Sequence, residues 1–257
     1  MTEWNAPGYA RIAALQEVMA AEVLALLKFK GDERLLDLGC GNGKVTAEIA
    51  SRLPNGSVTG VDASAEMIAF ASEHFGGRPN LRFETCDIRS LSFPEEFDLV
   101  VSFNALHWIP NQEEALRAIR SAMKPGARAQ LRLVPDGERK SLETVLEEAR
   151  KAPRWARYFE SFHDPYLHLA PEQYAALAEN NGLHVLHIQT QDKAWDFHSQ
   201  EAFEAFGSVT FVEWSRRLPE CDRQDFVRDV LERYALAVGA EHTFKFYQMD
   251  IVLSRAA

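Results

Sequence analysis

The sequence predicts an α/β fold: a doubly wound parallel sheet with right-handed crossovers, followed by helical segments inserted late in the chain. Three observations carry this. Strand-like and helix-like stretches alternate through the first half. The run FDLVVSF at 97–103 is almost continuously apolar, as a strand buried on both faces must be. The stretch LLDLGCGNGKVTAEIA at 35–50 passes from an apolar strand through a glycine-rich turn into a helix. Glycine there lets backbone approach a ligand with no Cβ in the way, and the free N–H groups of the helix start face the same crevice.

In order along the chain, apolar Ile12, Leu15, Met19, Val23 and Leu26 recur every three to four residues and predict a helix over 9–29, with Gln16 on or beside the apolar stripe. Strands are expected at 34–38, 57–61, 81–86, 97–103 and 127–134, and helices at 44–52, 65–75 and 112–123. Ser64 stands where a side-chain oxygen caps the second of these helices. From residue 138 the pattern changes to two helices separated by Pro153 and rich in rings. A helix at 171–180, a strand at 183–197, helices at about 199–217 and 222–238 and a last strand at 242–254 complete the chain. No repeat, low-complexity tract or flexible linker interrupts it. One domain over 1–257 is expected, with a ligand-binding core at 1–134, cap insertions at 135–182 and 198–241, and closing strands at 183–197 and 242–257.

Of 257 residues, 46% are apolar, ample for a core, and 28 Lys and Arg against 38 Asp and Glu give a net charge of −10. That sign disfavours a nucleic-acid partner, which needs a broad basic face. Cys40, Cys86 and Cys221 are far apart with no CxxC, against a disulfide framework or structural zinc and in keeping with a reducing cytosol. No leader-like apolar region or membrane-length stretch is present, so a soluble cytoplasmic protein with no membrane partner, a monomer or homodimer, is expected.

Dinucleotide-binding turns follow G-x-G-x-x-G, but Lys44 occupies the third glycine position here. The tighter pattern Asp37-Leu38-Gly39-Cys40-Gly41-Asn42-Gly43 resembles motif I of the class I S-adenosylmethionine (SAM) methyltransferases. Asp62 and Asp87 end the second and third strands, where that family's acids receive the ribose hydroxyls and the adenine amino group. Met123-Lys124-Pro125-Gly126 resembles the family's L-K-P-G-G signature, with Ala127 in place of its last glycine. Singly, each Asp is as readily a turn former or cap; together, in order, the four features carry the resemblance. It implies a Rossmann-like seven-stranded class I methyltransferase sheet with a helical substrate cap. It implies SAM as cofactor, S-adenosyl-L-homocysteine as product and no metal. Its cofactor contacts fall on Asp37, Gly39, Gly41, Gly43, Asp62, Ala63, Met67, Asp87, Ile88 and Asn104.

The acceptor is addressed by other segments. Residues 102–108, SFNALHW, resemble the S-F-x-x-L-H-W segment of the juvenile hormone acid methyltransferases and their bacterial relatives, the trans-aconitate methyltransferases. Trp4-Asn5 with Tyr9, the spacing of Tyr9 and Gln16, Arg154-Trp155, Leu167–Pro171 and Leu218-Pro219 with FVRD at 226–229 extend the similarity. This branch implies a small-molecule carboxyl O-methyltransferase acting on a small organic acid. Gln16, His107 and Trp108 are then the catalytic candidates, supplying N–H donors, and Tyr9, Trp155, Tyr158, Phe159 and Trp214 the acceptor pocket. The plain structural alternatives are a surface glutamine, a packing tryptophan and rings that form the cap's own core. A polyacid would need buried cations, for which Arg132, Arg154 and Arg157 are candidates; an apolar acid is the preferred reading. A carboxylate is already ionised at neutral pH and needs no base. The alternative acceptor is a natural-product hydroxyl or amine, and for a hydroxyl His107 would be the base.

Overall fold

The computed structural model describes residues 6–256, with side chains from residue 15 onward. The chain divides into two compact units. Of the described residues, a sheet unit takes 20–135, 165–191 and 248–256, and a helical unit takes 6–19, 136–164 and 192–247. Residues 165–182, expected in the cap, thus belong with the sheet, and the first half of the N-terminal helix belongs with the helical unit.

Helix α1 (Ala6–Leu26) opens the chain and is followed by β1 (Arg34–Leu38), α2 (Lys44–Ser51), β2 (Ser57–Asp62), α3 (Ala65–Phe75) and β3 (Leu81–Thr85). Then come β4 (Phe97–Phe103), α4 (Gln112–Ala122) and β5 (Met123–Leu133). The later chain adds α5 (Leu142–Arg150), α6 (Pro171–Asn180), β6 (Leu183–Asp196), α7 (Gln200–Thr210), α8 (Val212–Ser215), α9 (Glu220–Val238) and β7 (Thr243–Arg255).

The seven strands run in the order β3-β2-β1-β4-β5-β7-β6. Neighbours from β3 to β5 are parallel, and β7 pairs antiparallel with β5 from Arg128↔Ser254 to Leu133↔Met249. The sheet is therefore mixed, as the seven-stranded Rossmann-like expectation has it, with β7 reversed at the β5 edge. Pleat alternation explains the two apolar faces. Leu36, Leu38 and Val100 join a core with Leu116 and Ile119 of α4 and Tyr174 and Ala178 of α6. Leu35, Val58 and Val101 join a second core with Ala47, Ile49 and Ala50 of α2 and Leu27 just past α1.

Local chemistry sets the element ends. The Ser64 hydroxyl accepts from Met67 N at 3.3 Å and caps α3 as expected. The Asn111 side chain accepts from Glu114 N at 3.2 Å and caps α4. Strand β5 starts four residues earlier than expected, because the Pro125-Gly126 pair is accommodated as a bulge. Pairing steps from Phe97↔Met123 to Leu99↔Arg128, and Gly126 takes φ of +76°. After α5, only one 3-10 turn at Ala156–Tyr158 stands where a second helix was expected, since Pro153 removes a helix hydrogen bond. The single helix expected over 199–217 is broken into α7 and α8 at Phe211, whose ring is buried. Among the described residues, no helix is long and apolar enough to cross a membrane.

One buried charge group lies inside the sheet unit. Arg132 donates from Nε and Nη2 to Asp250 at 2.7 and 2.9 Å and from Nη1 to Glu22 at 3.0 Å. Arg132 and Asp250 are each 2% exposed. Removing one partner of such a pair leaves the other charge buried and uncompensated. Arg132→Ala is expected to cost about 3–5 kcal/mol in urea unfolding. Arg34→Ala, which breaks the half-exposed Arg34–Glu96 pair, is expected to cost less than about 1 kcal/mol. Equal losses would show that burial does not set the scale here.

Candidate active site

The strand ends meet at a topological switch point, β1 lying between β2 and β4, where open α/β sheets form their ligand crevice. A cavity of about 410 Å³ sits there, within the size range of small-molecule sites. It is lined by Gly39, Asp62, Ala63, Asp87, Ile88, Arg89, Asn104, Ala105, Trp108, Ile109 and Pro110.

Gly39 takes φ of +72°, and a Cβ placed on it would overlap that of Ala105. Its N–H and that of Cys40 both donate to Val61 O, at 2.8 and 3.0 Å, so the turn after β1 is fastened to the end of β2. Asp62 is fixed in turn. Gly41 N donates to its Oδ2 at 3.0 Å and Ser64 N to its Oδ1 at 2.9 Å. Each carboxylate oxygen keeps acceptor capacity for a further donor. Asp87 accepts from Arg89 N at 2.9 Å and from the Arg89 guanidinium, with Nη2 2.6 Å from Oδ2; this contact holds its carboxyl below the usual range.

Asp37 lies beneath the turn, 3% exposed. Burial, with the nearby Asp62 charge, pushes its carboxyl up from 3.8 to about 6, against the hydrogen bond that Thr46 Oγ1 donates at 2.7 Å. It supports the loop from below and does not line the cavity. Gly43 also lies outside the lining; it takes φ of +77° before α2, and a Cβ there would meet Phe83 and Ala71. Gly41 contributes its N–H to Asp62, and Met67, 46% exposed, serves α3 through its capped N–H.

Asn104 ends β4 with φ of +57°, its N–H donating to Arg132 O at 2.8 Å. Its side-chain Oδ1 is buried without a hydrogen-bond partner among the described residues. The loop that follows forms a 3-10 turn at Leu106–Trp108. It is stapled by buried Gln112, whose Nε2 donates to Leu106 O and, at 2.8 Å, to Ile109 O. Trp108 lines the cavity, its ring 4.2 Å from that of Tyr166. His107 points into the interior, 6% exposed, among the rings of Trp108, Tyr166 and His168. Burial, with His168 beside it, pushes its pKa down to about 3, so the ring is neutral throughout the physiological range. Val134 N approaches its Nδ1 at 3.4 Å. A buried ring held neutral in this way is a weak proton acceptor near pH 7.

Seven expected residues therefore meet at the cavity: Gly39, Asp62, Ala63, Asp87, Ile88, Asn104 and Trp108. The residues fit a SAM-like ligand: carboxylates with open lone pairs and a glycine wall that a Cβ would fill. Sequence reading missed Arg89, Ala105, Ile109 and Pro110. Arg89 had a signal, standing two residues after Asp87.

In the helical unit, Gln16 is exposed on α1, and the side chain of Tyr9, like Trp4-Asn5, lies outside the described residues. The rings expected to line a pocket are instead packed together. Trp155 and Phe159 flank Phe226 at 5.4 and 5.5 Å, and Phe162 joins Phe159 to Trp214. Trp155 and Trp214 donate their indole N–H to Asp229 at 2.6 Å and Glu147 at 2.9 Å, so both rings are buried with their polar atoms satisfied. The Tyr158 hydroxyl donates to Asp222 at 2.7 Å. The candidate cations are also engaged: Arg132 as above, Arg154 by Asp225, and Arg157 by the Tyr158 hydroxyl.

Residues 35–126 match the family described as a methyltransferase domain. The chain is 27% identical to the trans-aconitate 2-methyltransferase of Delftia acidovorans over 93% of this chain and 92% of that protein. It is 37% identical to the protein of the same name from Deinococcus radiodurans, over 48% of this chain and 46% of that one. In structure it is similar to phosphoethanolamine N-methyltransferase 2 of Haemonchus contortus in complex with S-adenosyl-L-methionine. The TM-score is 0.62 at 19% identity, covering 94% of this chain and 53% of that one.

The raised pKa of Asp37 has a stability consequence. A folded carboxyl titrating near 6 rather than 3.8 binds its proton more tightly than the unfolded chain does. Its stabilising contribution is complete below about pH 3.8 and is lost as pH rises through about 6. Asp37→Asn stays neutral and still accepts from Thr46. The variant is expected to exceed the wild type by roughly 3 kcal/mol at pH 8 and to converge with it toward pH 4, by urea unfolding. A constant difference across that range would rule out titration of Asp37 as its source.

Proposed function

Since the chain belongs to the class I SAM-dependent methyltransferases, in the branch that holds the trans-aconitate 2-methyltransferases, we propose that it methylates the carboxylate of a small organic acid, giving the methyl ester and S-adenosyl-L-homocysteine. SAM, when bound, supplies an electrophilic methyl group on a sulfonium. In this reading Asp62 receives the ribose hydroxyls, Asp87 the adenine amino group, and the turn Gly39–Gly43 the amino-acid end.

The observation that carries the carboxylate reading is the state of the loop after β4. It offers a donor, the indole N–H of Trp108, and its imidazole is held neutral and buried. A hydroxyl acceptor must lose a proton as the new bond forms, and His107 does not take it near neutrality. A carboxylate arrives ionised, and what it needs is alignment by donors. Trp108 fits that need.

The test is a methyl-transfer screen of purified protein with mass detection across aliphatic, terpenoid, aromatic and tricarboxylic acids, with alcohols and amines alongside. Esters are expected; methylation of alcohols or amines alone would overturn the reading. On the best acid, kcat/KM is expected to stay flat from about pH 6 to 8, because no imidazole titrates in that window in the loop. A rising limb centred near 6.5 would restore His107 as a base. Trp108→Phe is expected to lower kcat/KM about tenfold, the scale of one lost hydrogen bond.

A further inference from the structure

Trp108 comes to the cavity from the last position of one 3-10 turn, Leu106–Trp108. A side chain on so short a turn changes rotamer easily unless something outside the turn packs against it. A donor that aligns an acceptor has little tolerance for such movement: a misplacement of about 1 Å costs on the order of a hundredfold in rate. The indole therefore needs a support, and the sheet unit provides one from a distant stretch of chain.

That stretch is the segment leading into α6. Leu167 N donates to His107 O at 2.9 Å, which fastens the segment to the loop after β4. Leu169 packs on the same sheet core as Ile109, and α6 is anchored in that core by Tyr174 and Ala178. Ala170 N donates to Gln173 Oε1 at 3.0 Å and fixes the start of the helix. Tyr166 stands on this tethered segment, half-buried. Its ring lies 4.2 Å from that of Trp108 at 41°, and 5.7 and 5.6 Å from those of His107 and His168. Tyr166 does not line the cavity, so its influence on the site passes through the indole it packs against.

Resting on the reading of Trp108 as the donor to an acceptor carboxylate, we propose that Tyr166 is the positioning residue of the acceptor side, its ring fixing the indole in the orientation from which the N–H meets the carboxylate. The other neighbours of Trp108 do not have this role. His107 belongs to the same turn and moves with it. His168 makes ring contacts with His107 and Tyr166 but none with Trp108 among the described residues. Gln112 holds the loop by its backbone, at Leu106 O and Ile109 O, and leaves the indole free to turn. An aromatic pair contributes about threefold to tenfold beyond the area it buries, and that preference is available to hold one indole orientation over the others.

The test is a double-mutant cycle on kcat and KM for the best acid of the screen, with thermal unfolding as the folding control. Tyr166→Leu, which removes the ring, is expected to lower kcat/KM about threefold to tenfold. Tyr166→Phe keeps the ring and is expected to stay within about twofold of wild type. Calorimetric affinity for S-adenosylhomocysteine is expected to change by less than about twofold in either variant, as Tyr166 lies outside the cavity lining. In a Trp108→Phe background there is no indole N–H to aim, so adding Tyr166→Leu is expected to change kcat/KM by less than about twofold. A residue that merely holds the fold together would cost as much in that background as in wild type, and that result would overturn the proposal. So would an unchanged kcat/KM in Tyr166→Leu, or a loss in Tyr166→Phe as large as in the leucine variant. If Tyr166→Leu does not fold, Tyr166→Met makes the same comparison with a more adaptable side chain. Wild type that esterifies no acid would instead remove the carboxylate reading on which the proposal stands.

Discussion

The cavity depends on one close approach, that of the turn after β1 to the turn after β4. Gly39 and Ala105 meet where no second Cβ fits, so the two turns close on each other behind the ligand space rather than within it. The rest follows from that contact. The β1 turn is fastened to Val61 and orders Asp62 through the N–H of Gly41. The β4 turn must reverse sharply, which Asn104 achieves in a left-handed conformation, and the loop it releases is held by Gln112 so that Trp108 reaches the cavity. A methyl group on residue 39 would thus disturb the acid of one strand and the aromatic ring of another.

Burial then sorts the ionisable groups into those with a partner and those kept neutral. Arg132 and Asp250 meet in bidentate geometry deep in the sheet unit, each the other's counter-charge. Asp37 has only a threonine hydroxyl and a second acid nearby, so its ionisation is resisted. His107 has no counter-charge and a second imidazole beside it, so its protonated form is excluded. The result is a cavity walled by Asp62, Asp87 and Arg89 toward β2 and β3 and by Trp108 after β4.

Much of this was legible in the sequence where function is encoded by spacing. Asp37, the alternating glycines, Asp62 and Asp87 are separated by fixed strand and helix lengths, so the pattern identified both the sheet and the cavity. Ser64 was legible for the same reason, since a cap is a local matter. The direction of β7 was legible only through the resemblance, because apolar alternation is blind to polarity of the chain. The aromatic cluster misled because core and pocket have the same composition. Only the contacts of Trp155 and Trp214 with Asp229 and Glu147, each more than sixty residues away in sequence, show those rings to be packed. The neutrality of His107 likewise depends on rings supplied by residues 166 and 168.

The pairing of Arg132 with Asp250 carries a consequence for how the protein is made. The two residues are separated by 118 positions, so during synthesis the arginine leaves the ribosome long before its counter-charge exists. The strands bearing the glycine turn and both acids, β1 to β4, are complete by residue 103 and pair in parallel with one another. The centre of the sheet and the crevice at its edge are thus assembled from chain that emerges early. Closure of the β5 edge must wait for the last strand, since a lone guanidinium cannot be sealed from water. Between those two events the nascent chain exposes an unpaired strand edge carrying a positive charge. That charge keeps the edge hydrated and discourages it from pairing with a neighbouring chain.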